Sequence, residues 1–165
     1  MSESEVKLVT YRGDEPEGQW ENIIRFLHTL NEERYTFALG EEELSKSKMM
    51  KVAISENGGW IALSGWRHRW WGGVFYLVVH RDHQRQGLGK KLTLDLVKEV
   101  PKGMLLLLSV DRSNTRARKL YTDAGFVTLK RGKNHAFMAY RTPLFSLLEL
   151  PLRLGFLLRS FLRPS

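Results

Sequence analysis

QRQGLGKKLTLDLVKEV, residues 84–100, opens on polar and basic residues, bends at two glycines and then becomes an apolar run at helical spacing. Gly87 and Gly89 follow an apolar strand-like segment, VFYLVV (74–79), and precede a helix that runs to about Val100, where Pro101 and Gly103 stop it. A glycine bend at the head of a helix leaves backbone amides free to meet an anion, with the helix dipole in support. Gln84, Arg85, Lys90 and Lys91 add donors and charge. The stretch is not a dinucleotide fingerprint, because the third glycine and the acidic ribose partner are missing. Nor is it a P-loop, which needs four residues between its glycines and a Ser or Thr after the lysine.

The surrounding segments read as one α/β domain. Val6–Tyr11 alternates as a first strand, and Trp20, Ile23, Ile24, Leu27 and Leu30 follow at helical spacing. Asn31–Lys48 is charged and reads as a second, looser helical stretch. Lys51–Ser55 and Trp60–Arg67 are β-rich and flank Glu56-Asn57-Gly58-Gly59, a hairpin signal. Gly72-Gly73 reads as a further turn. MLLLLSV (104–110) is apolar on both faces, as expected of a central strand. Ser113 and Asn114 can cap a short helix, TRARKLYTDA, that ends at Gly125. FVTLK and AFMAYR are the last two strands, so the domain is expected to end near Arg141 and to leave residues 142–165 as a separate extension.

Composition narrows the partners. The chain has 165 residues, 42% hydrophobic and 27% charged, which is room for one domain with a real core. Cysteine is absent, so there is neither a disulfide framework nor a thiolate zinc site. No metal site is expected. The acidic N-terminus lacks the apolar core of a signal peptide, and a cytoplasmic location follows as the expectation. A net charge of +8 points to an anionic partner: a nucleotide-bearing cofactor, nucleic acid or an acidic membrane.

Gln84-Arg85-Gln86-Gly87-Leu88-Gly89 resembles the Q/R-x-x-G-x-G/A signature of the GCN5-related N-acetyltransferases. Thirty residues on, Asn114-Thr115-Arg116-Ala117-Arg118-Lys119-Leu120-Tyr121-Thr122-Asp123-Ala124-Gly125-Phe126 is similar to that family's N-x-x-A-x-x-L-Y-x-x-x-G-F. The resemblance covers roughly residues 5–141. It implies a mixed, splayed central sheet of about seven strands with flanking helices. It also implies an enzyme that moves an acetyl group from acetyl-CoA to an acceptor amine, in a ternary complex and without a metal. The amides of Arg85, Gln86, Gly87, Leu88, Gly89 and Lys90 are then expected to hold the coenzyme A pyrophosphate, and the backbone of Leu77, Val78 and Val79 to pair with the pantetheine arm as an added strand would. Asn114 is expected to touch that arm, a role compatible with capping its helix.

Tyr121 is the expected acid. Transfer from a thioester expels a thiolate, and a thiol near about 8.5 can take a proton from a phenol near about 10 held against it. The competing reading is a buried aromatic that packs on the sheet. No carboxylate lies on VFYLVV or MLLLLSV to deprotonate the acceptor. Ser109 stands where one branch of the family carries a glutamate, and Tyr76, His68 and His80 are fallback bases. The resemblance implies a small-molecule or peptide amine as acceptor. Trp66-Arg67-His68-Arg69-Trp70-Trp71 reads either as an aromatic, cationic wall for that acceptor or, the preferred reading, as a hairpin whose tryptophans cover the sheet or a dimer contact.

The extension, TPLFSLLELPLRLGFLLRSFLRPS, has no uncharged run approaching the roughly 18 residues of a membrane span. Ser146, Glu149, Arg153, Arg159, Ser160 and Arg163 share one helical sector, with leucine and phenylalanine around most of the rest. A surface so apolar must pack on its own domain, within a homodimer or in a membrane interface. The alternative to an enzyme is a catalytically weak coenzyme A-binding, membrane- or partner-binding module on the same fold. A nucleic-acid binder rests on charge and tryptophans alone and ranks last.

Overall fold

The computed structural model describes residues 6–13, 20–32 and 44–141. The elements run β1 (Lys7–Arg12), α1 (Trp20–Glu32), β2 (Ser47–Ile54), β3 (Trp60–Arg69), β4 (Gly72–Val79), a 3-10 turn (Arg81–His83), α2 (Leu88–Glu99), β5 (Leu105–Asp111), α3 (Thr115–Asp123), β6 (Val127–Arg131) and β7 (His135–Arg141). The strands form one seven-stranded mixed sheet in the order β1-β2-β3-β4-β5-β7-β6. Every neighbouring pair is antiparallel except β4 and β5. This is the expected sheet. The helical stretch expected over Asn31–Lys48 is changed at both ends: Asn31 and Glu32 belong to α1, and Ser47 and Lys48 already belong to β2. Residues 33–43 and the extension 142–165 lie outside the described residues.

Alternation along the strands sends side chains to two separate cores. On one face Trp66, Phe75, Leu106, Leu108, Tyr121 and Phe126 gather with the apolar sides of α2 and α3. On the other, Ile23, Phe26 and Leu27 of α1 pack on Met50, Leu63, Tyr76 and Val78. The leucine run of β5 serves both faces, as a central strand must: Leu106 and Leu108 join the first core, while Leu105 and Leu107 join a patch on the opposite side.

Three glycines set how closely β3, β4 and β5 approach. Gly65 of β3 is opposite Tyr76 of β4, and a Cβ there would stand 2.2 Å from the tyrosine oxygen. The bare backbone lets the ring lie across β3, where the buried Tyr76 hydroxyl bonds to Ser47 Oγ. Gly72 and Gly73 were expected to form a turn. Trp70 and Trp71 make that turn instead, and the glycines begin β4. Their role is close approach: a Cβ on Gly72 (φ 153°) would stand 2.4 Å from the Leu105 carbonyl oxygen, and one on Gly73 2.6 Å from Leu106 Cδ2.

An ionic clamp fixes the far end of α2. Glu99, in the last turn, accepts from Lys51 of β2 and Arg12 of β1, and Lys51 also donates to Thr10 at 3.2 Å. A carboxylate at a helix C-terminus opposes the dipole, so two cations are what make it tolerable there. The Lys51 hydrogen bond, with Arg12 adding to it, holds the Glu99 carboxyl below the usual carboxylate range. Its folded pKa is depressed, so its stabilising contribution is complete above the ordinary carboxylate range and fades as pH falls through the folded value.

Two outcomes follow. Gly65→Ala, which drives a methyl group into the Tyr76 ring, should cost about 1–3 kcal/mol by urea denaturation. Glu99→Gln should lower the melting temperature at neutral pH and flatten its fall on acidification, read from thermal melts across pH. An unchanged acid profile would exclude Glu99 as a contributor.

Candidate functional site

β4 and β5 pair at Gly73↔Leu106 and Val74↔Leu107 and then part. β4 continues to Val79 along β3, and β5 continues to Asp111 along β7. Each strand is held by a different antiparallel neighbour, and the two diverge into a wedge whose closed end is the glycine pair. Leu77, Val78 and Val79 lie on the open part of β4. The Val79 carbonyl accepts from Gln84 Nε2 at 3.2 Å, which leaves Leu77 and Val78 as the better placed for a guest strand.

The 84–89 bend stands where β4 ends. Arg85 (φ 67°) and Gly87 (φ 79°) both adopt the left-handed region, a cost for arginine that persists only where the surroundings impose it. Both glutamine side chains are exposed and bond back to the turn: Gln86 Nε2 donates to the Asp82 carbonyl at 3.4 Å, as Gln84 does to Val79 at 3.2 Å. Each braces the turn with one of its two amide protons. Gly87 caps α2 without a side-chain bond. The first helical bond is Lys91 N–H to the Gly87 carbonyl at 3.0 Å, so the amides of Leu88, Gly89 and Lys90 precede the helical ladder, as the first amides of any helix do.

Gly89 has a different reason from Gly87. Nothing lies within 4 Å of a Cβ on Gly87, whose requirement is conformational. A Cβ on Gly89 would sit 3.3 Å from Leu120, 3.4 Å from Leu77 and 3.5 Å from Val79. That glycine lets the first turn of α2 press onto β4 and α3, so the free amides are brought to the mouth of the wedge.

Tyr121 sits at the fork. Its ring meets Phe75 edge-on with centroids 5.9 Å apart, and Phe75 is the first residue of β4 beyond the paired Val74. Phe126 closes the other side at 5.7 Å. The residue is buried, and burial pushes its phenol above the ordinary tyrosine value. Among the described residues its hydroxyl has no hydrogen-bond partner. It remains a protonated donor through neutral pH. The packing and acid readings are therefore both compatible with its position.

Asn114 caps α3, accepting from Ala117 N–H at 2.9 Å, with its own N–H on the Asp111 carbonyl at 3.1 Å. Its side-chain oxygen is thus committed to the cap of α3, in an exposed β5–α3 turn. Of the fallback bases, Tyr76 is corrected: it is buried, bonded to Ser47, and desolvation raises its pKa, which makes it a poor proton acceptor. His80 accepts from Asp82 N–H at 3.3 Å and so orders the bend, and His68 is exposed near the end of β3. Ser109 lies on the open part of β5, opposite Phe137. The three tryptophans do not form one wall: Trp66 is core, Trp71 is half-buried and Trp70 is 72% exposed. Sequence reasoning missed the wedge's closed end. The Gly72-Gly73 pair directly before VFYLVV was its signal.

Among the described residues no group of His, Asp or Glu is arranged to hold a metal ion, and no helix is long and apolar enough to cross a membrane. A strand fork beside a helix with uncapped amides is the architecture of acyl-CoA N-acyltransferases. The sequence matches the acetyltransferase (GNAT) family over residues 15–126, and the chain belongs to that family. Its fold is similar to a GNAT acetyltransferase from Streptococcus pneumoniae (17% identical, TM-score 0.62, covering 82% of this chain and 98% of that one). One from Staphylococcus aureus is similar at 13% identity and TM-score 0.60, over 82% and 98% of the two chains. A mutant spermidine N-acetyltransferase from Vibrio cholerae matches at 17% and 0.56, over 81% and 92%. At these identities the likeness is one of fold. No curated protein sequence matches significantly.

Gly89→Val should disturb the wedge mouth and cost about 1–3 kcal/mol by overpacking, whereas Gly87→Ala should cost only the left-handed backbone, about 1–2 kcal/mol. Chemical denaturation of both reads the two values. A Gly89→Val protein as stable as the parent would remove the close-packing account of that glycine.

Proposed function

We propose that this protein is an acetyl-CoA-dependent N-acetyltransferase that passes the acetyl group directly to an acceptor amine, small-molecule or peptide, in a ternary complex. The observation that carries the reading is the wedge: an open β4 edge, with the uncapped start of α2 packed on it at Leu77 and Val79 and Tyr121 against Phe75 at the fork. The pyrophosphate would rest on the amides of Arg85 to Lys90, and Lys90 and Lys91 supply charge around it. Leu77 and Val78 would accept the pantetheine amides as a strand edge accepts a peptide. The acceptor nitrogen attacks the thioester carbonyl and releases a proton to solvent, the C–S bond breaks, the departing thiolate takes the Tyr121 phenol proton, and solvent returns a proton to the tyrosine. The likeness to a spermidine N-acetyltransferase supports an amine acceptor.

The second reading, a coenzyme A-binding module with weak turnover, draws on the loss of Tyr76 as a base and on Tyr121's place in the core. One variant separates them. In Tyr121→Phe, kcat should fall about 10²–10⁴-fold, the range for a lost general acid, with acetyl-CoA affinity unchanged. A kcat within about threefold of the parent would make the tyrosine a packing residue. The raised pKa also has a pH signature: the phenol is the active form, so kcat of the parent should not fall through loss of this proton as pH rises past about 10. The pH–rate profile checks it.

A further inference from the structure

On the sheet face turned away from α2 and α3, β5 and β7 present Leu105, Leu107 and Ala139, with Trp71 and Leu129 packed against them. Leu105 and Leu107 are each 6% exposed and Ala139 is 1% exposed. Trp71 and Leu129 flank this patch but are themselves only half-buried. Among the described residues, α1 is the helix on this side. It packs over β3, and its cluster stops at Tyr76 and Val78 of β4. The apolar patch on β5 and β7 is thus a second, separate core without a described element above it.

We propose that the C-terminal segment, residues 142–165, folds back onto this face and is its cover. The first argument is where the segment begins. Arg141, the last described residue, pairs with Leu105 of the patch, so residues 142–165 follow directly from its rim. The second is composition. The segment carries nine leucines and three phenylalanines, a surface that must be buried somewhere. Its Glu149, Arg153, Arg159 and Arg163 share one sector, which would face outward while the leucines face the sheet.

The third argument is the competition. Residues 33–43 are tethered at both ends to the α1 side, and Leu44, which follows them, is buried in the α1 core. They bear four glutamates, and β2, into which they lead, is three strand spacings or about 14 Å from β5. A second copy of the chain would have to overcome the translational and rotational cost of association, whereas the chain's own continuation is already at the site. Ser109 lies two residues beyond Leu107 on the same face of β5, so the segment would border the wedge on the side away from α2.

The test is photo-crosslinking in the full-length chain. The photoreactive residue p-benzoylphenylalanine replaces Trp71 in one protein and Leu129 in another, both half-buried positions that tolerate an aromatic group. Adducts are mapped by mass spectrometry. The expected result is intrachain adducts to residues 142–165 from both positions, with a yield that holds across about a hundredfold dilution, as an intramolecular contact requires. Adding Leu147→Asp and Leu148→Asp to the same chain should cut the yield at least about tenfold, since each buries a charge. Adducts to residues 33–43, adducts between chains that vanish on dilution, or no adduct in the parent would each overturn the proposal. So would loss of the intrachain adducts when phosphatidylserine-containing vesicles are added, which would assign the segment to the membrane instead.

Discussion

The parallel ladder between β4 and β5 is two residue pairs long, Gly73 against Leu106 and Val74 against Leu107, and the site depends on its stopping there. At its start, glycines at 72 and 73 let β4 approach the backbone and side chains of β5 more closely than any Cβ would allow. Beyond Val74 each strand is committed to an antiparallel partner on its other side. Sheet twist then separates the two edges. An open strand edge is ordinarily a liability, because its amides and carbonyls invite pairing. In the proposed function the same exposure is what receives the extended arm of the ligand.

Everything around the fork keeps it in that form. Gly65 makes room for the Tyr76 ring, which crosses β3 to reach Ser47 and so locks β2, β3 and β4 together on one face. On the other face, Gly89 lowers the start of α2 onto Leu77, Val79 and Leu120, while the Glu99 clamp ties its end to β1 and β2. The helix cannot slide or tilt without breaking one of these. Its uncapped amides therefore stay at the mouth of the wedge, where the proposed function places the pyrophosphate.

Much of this was legible in the sequence because it rests on local rules. The order of strands and helices followed from periodicity and from Gly, Pro and Asn at element ends, and both family signatures are contiguous strings, so Gly87, Asn114 and Tyr121 could be named by position. What could not be read is non-local. Gly72 and Gly73 look like a turn because their real constraint is the Leu105 carbonyl, thirty-odd residues away in the chain. Tyr76 looked like a candidate base because nothing in VFYLVV reveals that its hydroxyl is sealed against Ser47. The three tryptophans of one short stretch read as a sheet-covering hairpin, with a wall as the lesser alternative, and strand alternation and the following turn send Trp66 and Trp70 to opposite environments. Gln84 was expected to add a donor for the anion, and nothing local shows that its side-chain amide also braces the turn through the Val79 carbonyl.

The central claim is that the wedge and the bend at its mouth form a binding site for an acyl-CoA. Isothermal titration of the full-length protein with acetyl-CoA in low-salt buffer tests it most directly. The account predicts saturable binding, one molecule per chain, at micromolar affinity or tighter, weakened by added salt because the pyrophosphate lies among basic groups. An absence of saturable binding in a protein whose fold is intact would contradict it: the glycine bend would be only a turn, and the fork a feature of the sheet without a ligand.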